Sequence, residues 1–144
     1  MKLITDQPEI IAQFVATGLQ RTFHPPYTAL GWVLERGEKW TLVGGVVFND
    51  YNGHNIEASI YWNGPITRQP IAETLRYVFN QCQCGRLTAK TARGNKKMRR
   101  ILPRLGFQIE AELKNFFGSG SQRDRSKNAL VFRMERAQAE KWIK

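Results

Sequence analysis

Histidine and cysteine are scarce: the 144-residue chain has two of each. Cys82 and Cys84 are one residue apart, too close for a mutual disulfide, and His24 and His54 stand alone without the spacing of metal ligands. Neither a disulfide scaffold nor a metal centre is expected, and the thiols are read as reduced and structural, as in the cytosol. No apolar run approaches the ~18 residues of a membrane span, and no signal-peptide pattern opens the chain. These absences give the expectation of a soluble cytoplasmic protein. Acid is missing too, but locally. From Thr74 to Gln108 there are nine Lys or Arg and no Asp or Glu, within a chain of net charge +10. Such a balance speaks of partners rather than fold: nucleic acid, anionic lipid or a polyphosphate ligand.

What is present is ordinary for a globular chain. The sequence is 42% hydrophobic with four Trp and eight Phe, enough for one domain over residues 1–144. "MKLIT" reads as a short strand, and "PEIIAQFVATGLQ" as a helix, with Ile10, Ile11, Phe14, Val15 and Leu19 near helical spacing. "TALGWVLERG" and "KWTLVGGVVFND" are strands joined by a tight hairpin. A second hairpin at "DYNG" is expected to take positive φ at Asn52-Gly53. "HNIEASIYWN" alternates, with Ile56, Ala58, Ile60 and Trp62 on one face and Glu57, Ser59 and Tyr61 on the other. Residues 68–82 read as a helix and "GRLTAKT" as a strand.

Asn95 is a good N-cap for a helix whose apolar stripe is Met98, Ile101, Leu102 and Leu105. Pro103 should leave that helix short or distorted near its end, and Gly106 should stop it. A strand is expected from Phe107 to about Phe117, a polar turn at "GSGSQRDRSKN", a last strand at "ALVFRMER", and a tail at "AQAEKWIK". Trp32, Trp40 and Trp62 read as core. The order gives a mixed α+β layer, mostly antiparallel. Parallel pairing is expected only between the strands at 54–62 and 86–91, across the helix of 68–82.

Three stretches resemble the GNAT superfamily of acyl-CoA N-acyltransferases, in particular the branch with ribosomal-protein acetyltransferases and its short phage-encoded relatives. "NIEASI" is similar to the central strand of the acyl-CoA motif. "ETLRYVFNQCQCGRLTAKTARGN" follows the family's helix-strand-Asn pattern, and "ILPRLGFQIEAEL" its "L-G-F-x-x-E" signature. The resemblance implies a mostly antiparallel sheet with one parallel pair splayed at the cofactor site and helices on both sides. It also implies acetyl-CoA as co-substrate and direct acyl transfer to a primary amine. One departure stands out. The family's glycine-bearing phosphate loop corresponds here to "ITRQPIAE", without either glycine. Either Arg68 replaces backbone donors with a cation or cofactor binding is weakened; the first is the reading taken, because a helix's first turn still offers spare N–H groups and tolerates Pro70.

On this resemblance the cofactor-binding candidates are Ile60, Tyr61 and Trp62 by their backbone, Thr67, Arg68, Gln69 and Ile71 in the loop, and Asn95, Arg99 and Arg100 from the basic helix. Glu57, mid-strand among apolar neighbours, is the first candidate for general base, with Ser59 and Tyr61 on its face; an ion-paired strand acid is the equal alternative. The Tyr that many relatives use to protonate the leaving thiolate falls on Leu102, so no such acid is implied. Surplus cations disfavour a polyamine acceptor and suit an anionic or nucleic-acid-associated one. The alternatives are a non-enzymatic module on the same scaffold that binds protein, or nucleic acid through a surface over residues 86–104, and a nucleobase-modifying pocket. Monomer and homodimer both remain open.

Overall fold

The computed structural model describes residues 1–121 and 123–144. Its strands are β1 (Lys2–Ile4), β2 (Thr28–Arg36), β3 (Lys39–Asn49), β4 (Asn55–Trp62), β5 (Arg86–Ala92), β6 (Gln108–Leu113) and β7 (Ala129–Glu135). Its helices are α1 (Pro8–Leu19), α2 (Arg68–Arg76), α3 (Lys96–Leu105) and α4 (Arg136–Ile143). α2 runs on into a π-helical turn at Tyr77–Gln81. The strands form one sheet in the order β1-β2-β3-β4-β5-β7-β6. Only β4 and β5 run parallel; the other neighbours are antiparallel. The mixed α+β architecture and its single parallel pair are those expected.

Alternation in β4 decides the layering. Ile56, Ala58 and Trp62 face one side, where Leu75, Val78 and Phe79 from α2 and its extension join Met98 and Leu102 of α3 and Ala139 of α4. Tyr61 faces the other side, where Ile11, Ala12 and Val15 of α1 bury against Ala29 and Val47. Most of the driving force for folding comes from this two-sided burial. α1 packs on β2, β3 and β4. On that same face β5, β7 and β6 carry a row of charged and polar side chains instead: Arg86, Thr88, Lys90, Glu110 and Arg133.

Several local expectations are corrected. The tail at "AQAEKWIK" is helical, because Glu135 and Gln138 form a reciprocal capping box and Ala139 is fully buried. That signal was legible in the sequence, but with Glu rather than Ser or Thr at the cap. Trp40 is 52% exposed rather than core; it lies near the β2–β3 hairpin, with the Lys2 ammonium 4.6 Å from its ring centre. At "DYNG" the positive φ values fall on Asp50 and Gly53, while Asn52 uses its side-chain oxygen to accept the N–H groups of His54 and Asn55. β6 ends at Leu113 rather than near Phe117. α3 holds Pro103 inside it, since the proline sits in the last turn and one missing donor there leaves the rest of the ladder intact. Cys84 is buried, and burial pushes its thiol pKa up, consistent with a structural thiol.

Candidate active site where two parallel strands diverge

β4 and β5 pair from Asn55↔Arg86 only as far as Ala58↔Ala89. Both strands continue beyond that point, each held by its outer neighbour. β3 pairs β4 as far as Gly44↔Trp62, and β7 pairs β5 as far as Ala92↔Ala129. The sheet therefore opens as a V whose arms are fixed from outside. The inner edge of β4 from Ser59 to Trp62 has no partner on β5, so its inward backbone groups, apart from Trp62 O, are available to something else.

Side chains shape the opening. Trp62 is buried with its ring across Gly44, where an added Cβ would lie 1.9 Å from the indole; only glycine permits that approach. Met98, also buried, reaches the fork of the V, and three cavities share it together with Ile60. On the α1 side lies a cleft of about 280 Å³, lined among others by Arg21, Tyr61, Asn95 and Lys97. On the α2 side an apolar crevice of about 40 Å³ runs between Ile60, Trp62, Ile66, Ile71 and Leu105. The Lys97 ammonium ties the start of α3 to the end of β4 and the turn after it, donating to Trp62 O at 2.7 Å and Gly64 O at 3.1 Å.

The sequence-derived candidates divide between this opening and other places. Ile60, Tyr61, Trp62 and Asn95 line it. Tyr61 packs edge-on to Phe14 at 5.4 Å, lies against Gly18 and donates its hydroxyl to Asn63 Oδ1 at 2.9 Å. Asn95 accepts the Met98 N–H at 3.3 Å, the expected N-cap bond. Thr67 precedes α2 in an extended conformation and makes no side-chain cap bond. The first-turn N–H groups of Arg68 and Gln69 are thus uncapped at the α2 end that adjoins the V, Pro70 gives up a donor with no intrahelical acceptor, and the Ile71 N–H makes the first bond of the helix, to Thr67 O.

Arg68 itself turns away. Its guanidinium donates to Lys141 O at 2.6 Å and stacks 5.0 Å from the Trp142 ring, bracing α4. Arg99 donates to Arg93 O at 3.0 Å, and Arg100 is exposed. Glu57 pairs with Lys90 at 2.7 Å on the open sheet face, and it does not line the cleft. Ser59 is partly buried opposite Val47 of β3. One cleft residue, Arg21, is not among the sequence-derived candidates: it follows a helix end with no local motif around it, and only the tertiary fold brings it to β4. Lys97 belongs to the acid-free basic window, where phosphate-binding cations are expected, and instead bonds backbone carbonyls.

A family model described as an acetyltransferase (GNAT) domain matches residues 6–108. The chain belongs to the GNAT acetyltransferases. No curated protein sequence matches it. Solved structures similar in fold include a variant of the spermidine N-acetyltransferase SpeG from Vibrio cholerae, with TM-score 0.70, 15% identity, and coverage of 96% of this chain and 97% of that one. The same enzyme in complex with CoA and spermine gives TM-score 0.69 at 16% identity, covering 96% and 97%. A GNAT-family acetyltransferase from Bacillus anthracis gives TM-score 0.59 at 20% identity, covering 85% and 71%. At such identities the likeness is one of fold.

GNAT acetyltransferases use acetyl-CoA as co-substrate. The residues at the V fit such a molecule. Its amide-bearing arm needs a strand edge with unpaired backbone groups, which β4 offers from Ser59 to Trp62. Its phosphates need oriented N–H groups, which the uncapped start of α2 offers. The missing glycines therefore remove flexibility from the loop without removing the helix N-terminus.

Proposed function

We propose that this protein transfers an acetyl group from acetyl-CoA to the primary amine of a small acceptor bound in the α1-side cleft. The single observation that carries the reading is the divergence of β4 and β5 beside an uncapped α2. Acetyl-CoA supplies an activated thioester carbonyl. The backbone of Ile60 to Trp62 would bond its arm, the first turn of α2 its pyrophosphate, and Arg100 with Lys96 would add exposed cations. Arg68 is assigned to bracing α4, and Thr67, Gln69 and Ile71 act through the position of their backbone.

The acceptor nitrogen attacks the thioester carbonyl carbon. The C–N bond forms, the C–S bond breaks, and the proton lost by nitrogen passes through water to the departing thiolate. No carboxylate among the described residues lines the cleft. The chain instead places two cations there, Arg21 and Lys97. A neighbouring positive charge disfavours an ammonium and lowers its pKa, so Lys97, held beside the end of β4, promotes the neutral, nucleophilic amine. On this reading Glu57 is a strand ion-pair partner rather than the base. The same electrostatics argue against a polyamine acceptor of the kind named for the Vibrio cholerae enzyme, since spermine would bring several more cations to an acid-free cleft.

Acetyl-CoA at about a hundredfold over its Kd should stabilise the fold by about 2.7 kcal/mol, a rise of about 5–10 °C in melting temperature. A melting curve that stays unmoved at millimolar acetyl-CoA would sink the proposal.

A further inference from the structure

Arg21 is set into the cleft by the way α1 ends. Gln20 takes a left-handed φ of 56°, and the N–H groups of Gln20 and Arg21 both bond Ala16 O, the second at 3.0 Å. The side chain then lies partly buried beside the splayed strands, with its guanidinium carbon 3.9 Å from the Phe117 ring centre. Stacking uses the face of the guanidinium and leaves the N–H edge for a ligand. Among the described residues no hydrogen bond or ion pair engages that edge. Glu9 lines the groove on the far side of Arg21 but stays beyond ion-pairing distance.

The other cation of the cleft differs. Lys97 already donates to two carbonyls, so it is a brace with little left to offer. Burial lowers the pKa of Arg21 to about 10, which leaves it charged at neutral pH, with the Phe117 ring offsetting part of its desolvation and no anion among the described residues paired with it. A partly dehydrated guanidinium, held rigid by an aromatic ring and facing an acid-free cavity, is built to receive an oxyanion.

We propose that the acceptor is an amine that itself carries a carboxylate or phosphate group, and that Arg21 binds that group with the fork of its guanidinium. This rests on the acetyltransferase reading for the fate of the amine, but not for the anion site itself. The fork matches either oxyanion in a two-point geometry that an ammonium cannot reproduce. The product would keep its anion while the amine becomes a neutral amide.

The test uses the full chain and three amines: L-glutamate, O-phosphoethanolamine and spermidine. Each is titrated calorimetrically without acetyl-CoA, then supplied with acetyl-CoA while thiol release is followed. Glutamate or phosphoethanolamine should bind and turn over in preference to spermidine, and whichever binds tighter identifies the oxyanion. Arg21→Gln should weaken that binding about tenfold or more, raising KM more than it lowers kcat, with the acetyl-CoA melting shift retained. Arg21→Lys, which keeps charge without the fork, should recover part of the loss. Three results would overturn the proposal: a preference for spermidine, anion binding unaltered in both variants, or no anion binding at about ten millimolar. Anion binding that depends on Arg21 without any acetyl-CoA shift would instead remove the transferase reading and leave the anion site standing.

Discussion

The two halves of the β4–β5 pair belong to the same two strands but meet different fates. In the closed half, Asn55–Ala58 face Arg86–Ala89 in register. Every cation there meets an acceptor: Arg86 joins Glu110 and Asn55, and Lys90, just past the last paired residue, joins Glu57. In the open half, Tyr61 and Trp62 have no pairing partner on β5. Lys97 and Arg99 bond backbone carbonyls, and Arg21 lies over the Phe117 ring with no hydrogen bond or ion pair from its guanidinium among the described residues. Positive charge thus meets carboxylates along the zipped half, whereas at the opening it mostly meets backbone carbonyls and leaves the Arg21 fork unengaged among the described residues. The acid-free window from Thr74 to Gln108 spans both regimes. Arg86, Lys90 and Arg93 find their acids in strands outside the window, so the surface available to a polyanion is smaller than the sequence implies.

The comparison breaks most easily in the core. Leu87, 1% exposed in the closed half, should cost about 2–5 kcal/mol when truncated to Ala. Ile60→Ala in the open half should cost well under that, because cavities already border Ile60 on both sides and there is less packing to lose. Urea unfolding of the two variants decides; equal losses would mean that the opening is packed as tightly as the closed half.

A smaller effect sharpens the charge side of the contrast. Glu57→Gln removes a partly exposed ion pair with Lys90, and such pairs contribute at most about 1 kcal/mol. Its turnover should follow the same pH profile as the parent. Loss of the ascending acid limb in the variant would restore Glu57 to the role of general base.

Why the fold was largely legible, and the cleft only partly, follows from the range of the signals. Strand alternation in β4, the Asn95 cap and the stop at Gly106 are local, written within a few residues of where they act. The V is not local. It arises because β3 and β7 hold the outer edges of β4 and β5 while Met98 of α3 and Trp62 of β4 fill the space between them, so five elements make it together. Arg21 shows the limit most plainly, since its neighbours Tyr61 and Phe117 are remote in sequence. Glu57 shows the converse: its burial pattern was read correctly, but its partner Lys90 lies across the sheet, where no spacing rule reaches.

The smallest expected effect concerns the mouth of the open half. Glu112 accepts Asn128 Nδ2 at 2.7 Å and pairs with Arg93 at 2.9 Å, while Arg93 also bonds Asn128 O by its N–H and receives Arg99 on its own carbonyl. The Asn128 bond, and after it the charges of Arg93 and Arg125, hold the Glu112 carboxyl below its ordinary value. A depressed folded-state pKa stabilises the native protein at pH above the unfolded value, about 4.3. That stabilisation fades as pH falls through the lower folded-state pKa. Melting temperatures of the parent and Glu112→Gln should therefore differ by a constant amount above about pH 5 and converge below about pH 4. Curves that stay parallel down to acid pH would show that the ionised carboxylate adds nothing, and that Arg93 keeps its place at the mouth of the V through its backbone bonds alone.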